Sequence, residues 1–321
     1  MSPQGRRRAV EWVRSHHGYS ERRACRLLGQ PRGTQRYERP ERGDEKVLVE
    51  RLRELARAHP RYGYRRITAL LRREGRRVNR KRVHRLWKRE GLRVVQRSRK
   101  RRRLGTSAGS CVRRRAEGVN QVWSYDFVWD QTADGRMLKI LPVVDEFSRE
   151  CLAIVVARSI RAVDVVQVLE RLIEERGAPE FIRSDNGPEF IAEAVREFLR
   201  ERGLKTLFIA PGSPWENAYS ESFNSRFRDE FLNLELFTSV TEALVLSEEY
   251  RRGYNEDRPH SALGYLTPSE LARTWLRSRQ RRQEARTGLT EESVAQNRPR
   301  TNATERGIGR STPQIVETGL S

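Results

Sequence analysis

The chain has 321 residues, with 65 Lys and Arg against 43 Asp and Glu and a formal net charge of +22. That length holds two or more domains with sizeable cores, and the basic excess marks a polyanion as partner. Its three cysteines, Cys25, Cys111 and Cys151, form no CxxC pair, which excludes a disulfide framework or zinc site and fits a reducing cytosol. No apolar run approaches the ~18 residues of a membrane span and no signal peptide is evident, so a cytoplasmic protein with no membrane partner is expected.

The charge is segregated. Residues 1–120 hold 38 basic and 11 acidic residues, a net of +27, whereas residues 121–275 hold 18 and 27, a net of −9. A strongly basic front therefore precedes a mildly acidic core.

Residues 1–43 read as an N-terminal helical unit. Arg8 to Arg14 is helical in pattern, Gly18 breaks it, Ser20 caps Glu21 to Leu28, and Gly29 stops that helix before Arg32 to Arg36. The pattern suits a small helix-turn-helix and a plain helical pair equally. Residues 44–95 read as a helix-turn-helix domain. Val47, Leu48, Leu52, Leu55 and Ala56 share one face up to His59-Pro60, and Tyr64 to Glu74 repeats the spacing with Ile67, Leu70 and Leu71. After Gly75, Asn79 caps a helix whose apolar face is Val83, Leu86 and Trp87. Its other face carries Arg80, Lys81, Arg82, Arg85, Lys88 and Arg89, the candidate DNA-binding residues. Residues 96–118 form a basic linker, a tether that can also track phosphates.

From residue 121 the apolar period shortens. Val122 to Trp129, Arg136 to Val144 and Cys151 to Val156 predict three strands, the first two joined by a hairpin at Ala133-Asp134-Gly135. A helix over Val163 to Arg176, a strand over Glu180 to Arg183, a helix over Ile191 to Glu201 and a strand over Leu204 to Ile209 come next. Beyond Pro211-Gly212-Ser213-Pro214, Asn217 to Leu232 is again helical in pattern. Three strands and then alternating helices and strands give an α/β fold, a mixed five-stranded sheet in ribonuclease-H-like order over residues 119–275, preceded by an all-α region. Residues 276–321 have few large apolar side chains and predict a poorly ordered tail.

Three acids draw attention in that core. Asp126 is predicted mid-strand, Asp185 at the point where a strand runs out into Asn186-Gly187, and Glu221 in the first turns of a helix 36 positions later. Carboxylates so distributed can hold hard divalent cations, Mg²⁺ or Mn²⁺, and two such ions suit in-line phosphoryl displacement. Asp130 shares strand parity with Asp126, so periodicity alone leaves both open. Asp134 reads as a turn residue, Asp145 as structural, and Glu189 as a partner of a helix N-terminus.

The motifs that carry a resemblance include His59-Pro60-Arg61-Tyr62-Gly63-Tyr64, Trp123-Ser124-Tyr125-Asp126-Phe127 and Val144-Asp145-Glu146-Phe147-Ser148-Arg149. They continue with Ser184 to Phe190, Glu221-Ser222-Phe223-Asn224, Tyr254-Asn255-Glu256-Asp257-Arg258-Pro259-His260 and Leu266-Thr267-Pro268. Over roughly residues 45 to 272 the chain resembles the OrfB-type transposases of the bacterial insertion-sequence-three group, which have a retroviral-integrase-like catalytic core. The resemblance implies a DDE transposase that cleaves and joins DNA strands, with Asp126, Asp185 and Glu221 as catalytic and metal-binding triad. That choice settles Asp126 over Asp130 by analogy. It also implies two Mg²⁺ or Mn²⁺ ions, and Asn186, Asn217, Asn224 and Arg228 as residues supporting the triad or touching DNA. Implied partners are element-end and target DNA, further copies of the chain, and an upstream OrfA-type protein or frameshift fusion, in a nucleoid-associated bacterial setting. Ser225 and Phe231 stand where relatives commonly have Gly and Cys, and Tyr250 where Trp is common. The alternatives are a non-enzymatic DNA-binding regulator from a decayed element and a ribonuclease-H-like nuclease.

Overall fold

The computed structural model describes residues 1–37, 43–94, 115–185, 187–208 and 217–296, with backbone alone at 208 and 285–296. The chain divides into two compact units, Met1–Arg101 and Arg102–Ser321.

The first unit is helical: α1 Pro3–His17, α2 Glu21–Leu27, α3 Arg32–Arg36, α4 Glu45–Ala58, α5 Tyr64–Arg73 and α6 Arg80–Arg89. Ser20 Oγ accepts from the Arg23 amide and starts α2 as its sequence dictates. The short α3 is an addition to the expected pattern. Arg32 and Arg36 on α3 both reach Glu21 at the start of α2, at 3.0 and 2.9 Å. Helices α1 and α2 enclose only Val10, Ala24 and Cys25, whereas α4, α5 and α6 close a larger core around Leu52, Ile67, Leu71, Val83 and Leu86. Gly75, at φ +79°, adopts the left-handed conformation that ends α5. Asn79 Oδ1 then accepts from the Lys81 amide at 2.8 Å and starts α6.

The basic face of α6 is divided. Arg82 grips Asp44 with two hydrogen bonds of 2.7 and 2.8 Å, and Arg85 and Arg89 reach Glu45 at 2.9 and 2.6 Å. These three arginines tie α6 to the start of α4, while Arg80, Lys81 and Lys88 are exposed. Of the six candidate cations on this helix, three are thus paired within the unit, and Arg89 keeps half of its side chain exposed.

The second unit is built on a mixed sheet of β1 Val122–Tyr125, β2 Val128–Gln131, β3 Met137–Asp145, β4 Cys151–Ala157, β5 Phe181–Ser184 and β6 Lys205–Phe208. Both β1 and β2 pair antiparallel with β3, β4 pairs with β3, and β1, β5 and β6 run parallel. The single strand expected over Val122 to Trp129 is thus interrupted at Asp126-Phe127, so Asp126 is at a break rather than mid-strand. The register explains the break. Trp123 opposes Asp145 and Val128 opposes Ile140, one continuous register that sets Pro142 opposite Asp126. Proline has no N–H to give the ladder there. With β1 and β2 taken as one interrupted strand, the sheet has the expected five.

Alternation along the strands separates two cores. Trp123, Tyr125, Leu141 and Val143 face α7 Ala162–Arg176, α8 Pro188–Ile191 and α9 Glu193–Glu201. Val128, Leu138, Ile140 and Val144 face α10 Ala218–Phe227, a π-helical turn over Arg228–Leu232, and α11 Val240–Glu256. On that second face Phe223, Phe227, Phe231, Tyr250 and Tyr254 stack in series, with Phe231 and Tyr250 centroids 5.0 Å apart. The Tyr254 to His260 motif has a structural use. The Asn255 amide gives and takes 2.8 Å hydrogen bonds with the Cys151 backbone, extending β4 by a side chain. Arg258 clamps Glu230 of the π-helical turn at 2.5 and 2.7 Å, with both side chains buried.

The tail expectation is corrected in part. Helix α12 runs from Pro268 to Gln296, well past residue 276. Arg, Gln, Glu and Ala need no core to favour a helix. Residues 297–321 lie outside the described residues, as does most of the basic linker. Among the described residues no helix is long and apolar enough to cross a membrane.

Candidate active site

Strands β1 and β5 run parallel, with Ser124 beside Arg183. Continuing that register by two residues sets Asp126, at the break between β1 and β2, beside Asp185, where β5 ends. Side chains at such strand ends project into the crevice that open α/β sheets use for ligands. Asp185 Oδ1 accepts from the Gly187 amide at 3.0 Å, a turn that leads into α8. Asp126 faces α10, where Asn224 Nδ2 donates to its Oδ2 at 3.1 Å. Glu221 stands on the same helix, one turn before Asn224.

Burial pushes the Asp126 carboxyl up to about 6, and the charges of Asp185 and, less strongly, Glu221 push in the same direction; the Phe127 amide and Asn224 oppose them. Both other acids therefore act on Asp126 electrostatically. No lysine or arginine among the described residues pairs with any of them. Nor do any three Asp, Glu, His or Cys side chains among those residues stand close enough together to hold a metal ion as arranged. The chemistry of the donors nevertheless fits one: hard carboxylate oxygens, mutual repulsion and no internal counter-charge.

The remaining expected residues separate by what they touch. Asn217 is 4% exposed and its Oδ1 has no partner; the outer oxygen of Asn224 is buried and equally unpaired. Ser220, 1% exposed with an unpartnered Oγ, belongs to the same helix and was not anticipated. Its position, three after Asn217 and four before Asn224, was the signal that could have found it. Arg228 donates to the Trp129 carbonyl at 2.5 Å, anchoring the π-helical turn to β2. Asn186 lies outside the described residues.

The competing acids have structural occupations. Asp145 accepts from the amides of Asn120, Phe147 and Ser148 and from the Ser148 hydroxyl. Asp134 holds the β2–β3 hairpin through Thr132 and Arg136. Asp130 accepts from the neighbouring Gln131 amide. Glu189 does more than favour a helix start: it is paired with Lys139 of β3.

Known proteins place this geometry in a family. Residues 116–214 and 202–268 match two families described as integrase core domain, and residues 42–101 match the HTH-like domain. The chain is 43% identical over 264 residues to the insertion element IS407 uncharacterized 31.7 kDa protein of Burkholderia multivorans, covering 81% of this chain and 93% of that protein. It is 41% identical over 273 residues to the IS476 uncharacterized 39.2 kDa protein of Xanthomonas euvesicatoria, covering 85% and 78%. The putative transposase InsK for IS150 of Escherichia coli is 30% identical over 222 residues, covering 65% and 77%. Among solved structures, the HTLV-2 integrase catalytic core domain in complex with magnesium is a distant likeness, at 17% identity and a TM-score of 0.40 over 49% of this chain and 98% of that one. On its close relatives and its matched domains, the chain belongs to the insertion-sequence transposases, with an HTH-like domain ahead of an integrase core.

Proposed function

We propose that this chain cuts and joins DNA strands by direct phosphoryl transfer, with Asp126, Asp185 and Glu221 as its catalytic acids. One observation carries the reading: burial, with the charges of Asp185 and Glu221 added to it, lifts Asp126 to about 6, and no lysine or arginine among the described residues pairs with any of the three acids. Structural acids acquire an arginine or several amides at once, as Glu230 and Asp145 do. Acids left uncompensated in a protein that binds a polyanion make sense as a seat for divalent cations.

Asp126, Asp185 and Glu221 are the residues that would hold Mg²⁺ or Mn²⁺, two ions by the donor count. Bound there, such ions lower the pKa of an attacking water or hydroxyl and offset charge on the phosphate. The protein's own part is to present the acids deprotonated and fixed. Above pH 6 Asp126 is ionised, and Asn224 orients it from α10. Asn217 and Ser220 carry buried, unpaired polar atoms at the start of the helix that bears Glu221. In the first reaction water attacks phosphorus at the element end, the P–O3′ bond breaks, and a 3′-OH is freed. That hydroxyl then attacks a target phosphodiester, forming one P–O bond and breaking another, so no covalent protein–DNA intermediate is needed.

In the helical unit, exposed Arg80, Lys81 and Lys88 supply phosphate contacts, while Arg82, Arg85 and Arg89 brace α6. Further copies of the chain and an upstream OrfA-type partner complete the proposed assembly. The test is cleavage and joining of end-sequence DNA with Mg²⁺ or Mn²⁺, comparing wild type with Glu221→Gln. Loss of both reactions in the variant is expected; activity without metal, or unaffected by the change, overturns the mechanism.

A further inference from the structure

Lys139 is an interior residue of the central strand β3, with its side chain 5% exposed. On that face its neighbours are the apolar residues of the α7–α9 core. A buried ammonium is costly unless paired, and an apolar side chain of similar volume commonly serves stability as well or better. Core packing alone gives no reason for a lysine here.

Its contacts give one. The Lys139 ammonium pairs with Glu189 of α8, donates to the Ile160 carbonyl at 3.1 Å and sits 3.9 Å from the centre of the Phe127 ring. Phe127 stacks on Phe190 of α8 with centroids 4.6 Å apart, and Phe190 meets Tyr125 edge-on at 4.6 Å. Phe127 directly follows Asp126, and Glu189 is four residues after Asp185. Because side chains alternate across a strand, Asp126 faces α10 and Phe127 faces the opposite side. That backbone segment is also where Pro142 leaves the ladder open, so it lacks part of the hydrogen bonding that would otherwise fix it.

We infer that Lys139 is a positioning residue that rivets the two aspartate-bearing segments together from the far face of the sheet, through Phe127 on one side and Glu189 on the other. It touches neither substrate nor metal and acts through those two neighbours. The pairing also holds Glu189 below the usual carboxylate range, so the link persists across neutral pH. This inference rests on the assignment of Asp126 and Asp185 to the metal site.

The test uses the full chain and Mn²⁺ as probe, with binding measured by calorimetry, strand joining measured alongside, and thermal unfolding recorded without metal. Lys139→Met is expected to unfold at the wild-type temperature or higher, yet bind Mn²⁺ roughly 10-fold more weakly or worse, the loss typical when support behind a metal ligand is removed. Glu189→Gln, which keeps an amide oxygen to accept from the Lys139 ammonium at a partly exposed position, is expected to weaken binding in the same direction, with folding checked by the same thermal unfolding. The Lys139→Met/Glu189→Gln double variant should lose less than the product of the two single effects. Wild-type Mn²⁺ affinity in both single variants overturns the inference, as does full additivity. Asp126→Asn separates the two ideas. If it binds Mn²⁺ normally, the triad assignment fails; if it loses binding while Lys139→Met does not, the rivet alone fails.

Discussion

In the helical unit Glu45 meets Arg85 at 2.9 Å and Arg89 at 2.6 Å, and Glu74 meets Arg51 at 2.7 Å. In the sheet unit Asp126 meets the Asn224 and Phe127 amides and the charges of two other acids, and no arginine or lysine among the described residues. The pKa directions agree: hydrogen bonds from Arg51 and Arg53 lower Glu74 and Glu90, whereas burial and like charge raise Asp126. Arginine is most abundant where the acids are structural and withheld where they are reserved. The lesson concerns allocation: an acid meant for an external cation must be denied an internal one.

The sharpest way to break this contrast is at the reserved acids. Asp126→Asn or Glu221→Gln should reduce strand cleavage and joining by on the order of 10³-fold or more in a gel assay with labelled end DNA, while DNA binding in a shift assay stays near wild type. Activity within 10-fold of wild type would falsify the assignment.

Next in size is a buried pair. Arg258→Met strands Glu230 inside the α10–α11 core and should cost about 3–5 kcal/mol in denaturant unfolding. A loss below about 1 kcal/mol, typical of a surface pair, would show that the clamp is dispensable.

A pH profile sharpens the comparison further. Asp126 has a folded pKa of about 6, above its ordinary value of 3.8. Its protonation therefore contributes stability that is complete below about pH 4 and is lost as pH rises through 6. Without metal, the melting temperature should fall by several degrees between pH 5 and 7.5, and Asp126→Asn should flatten the fall. Mn²⁺ should raise the melting temperature at pH 7.5 and do little at pH 5, where the proton occupies the site. An Mn²⁺ effect of equal size at both pH values argues against a cation among these acids.

The smallest effects are expected in the helical unit. Glu45→Gln should cost roughly 1 kcal/mol, since its partners Arg85 and Arg89 keep access to solvent, and should release both to strengthen DNA binding. Lys88→Ala should lower the slope of log affinity against log salt by about 1. If Arg82→Ala changes that slope as much as Lys88→Ala does, the division of the α6 face is wrong.

How much the sequence made legible depended on how local the cause was. Asn79, Ser20 and Gly75 act within a turn, and the helices they begin or end were readable. The strands were readable because runs of Val, Ile and Leu mark them wherever they pair, whereas the sheet order rested on fold analogy. The break at Asp126 was hidden because its cause, Pro142, sits on another strand and matters only once register is fixed. Glu189 beside Pro188 suggests a helix start, and its true partner lies 50 residues away. The extent of α12 was misjudged because low apolar content predicts the absence of a core, which is a different matter from the absence of a helix. At the site, the spacing of the three acids drew attention to them and motif resemblance chose Asp126 over Asp130; Ser220 had only its helical spacing from Asn217 and Asn224 to mark it, and Lys139 carries no signature until its neighbours are known.

The π-helical turn over Arg228–Leu232 has a consequence for how this chain tolerates insertion and deletion. A π-turn holds one more residue than an α-turn, so a single deletion inside it can be absorbed by closing the turn to ordinary helix, whereas a residue added or removed between Asn224 and Arg228 rotates everything beyond it by about 100°. In that second case Glu221 and Asn224, upstream, would keep their places, but Glu230, Phe231 and Leu232 would swing off Arg258 and the aromatic stack. The reading frame of this helix is thus pinned at both ends, by Asn224 on Asp126 and by Glu230 on Arg258, and the spacing between them is as fixed as the residues themselves.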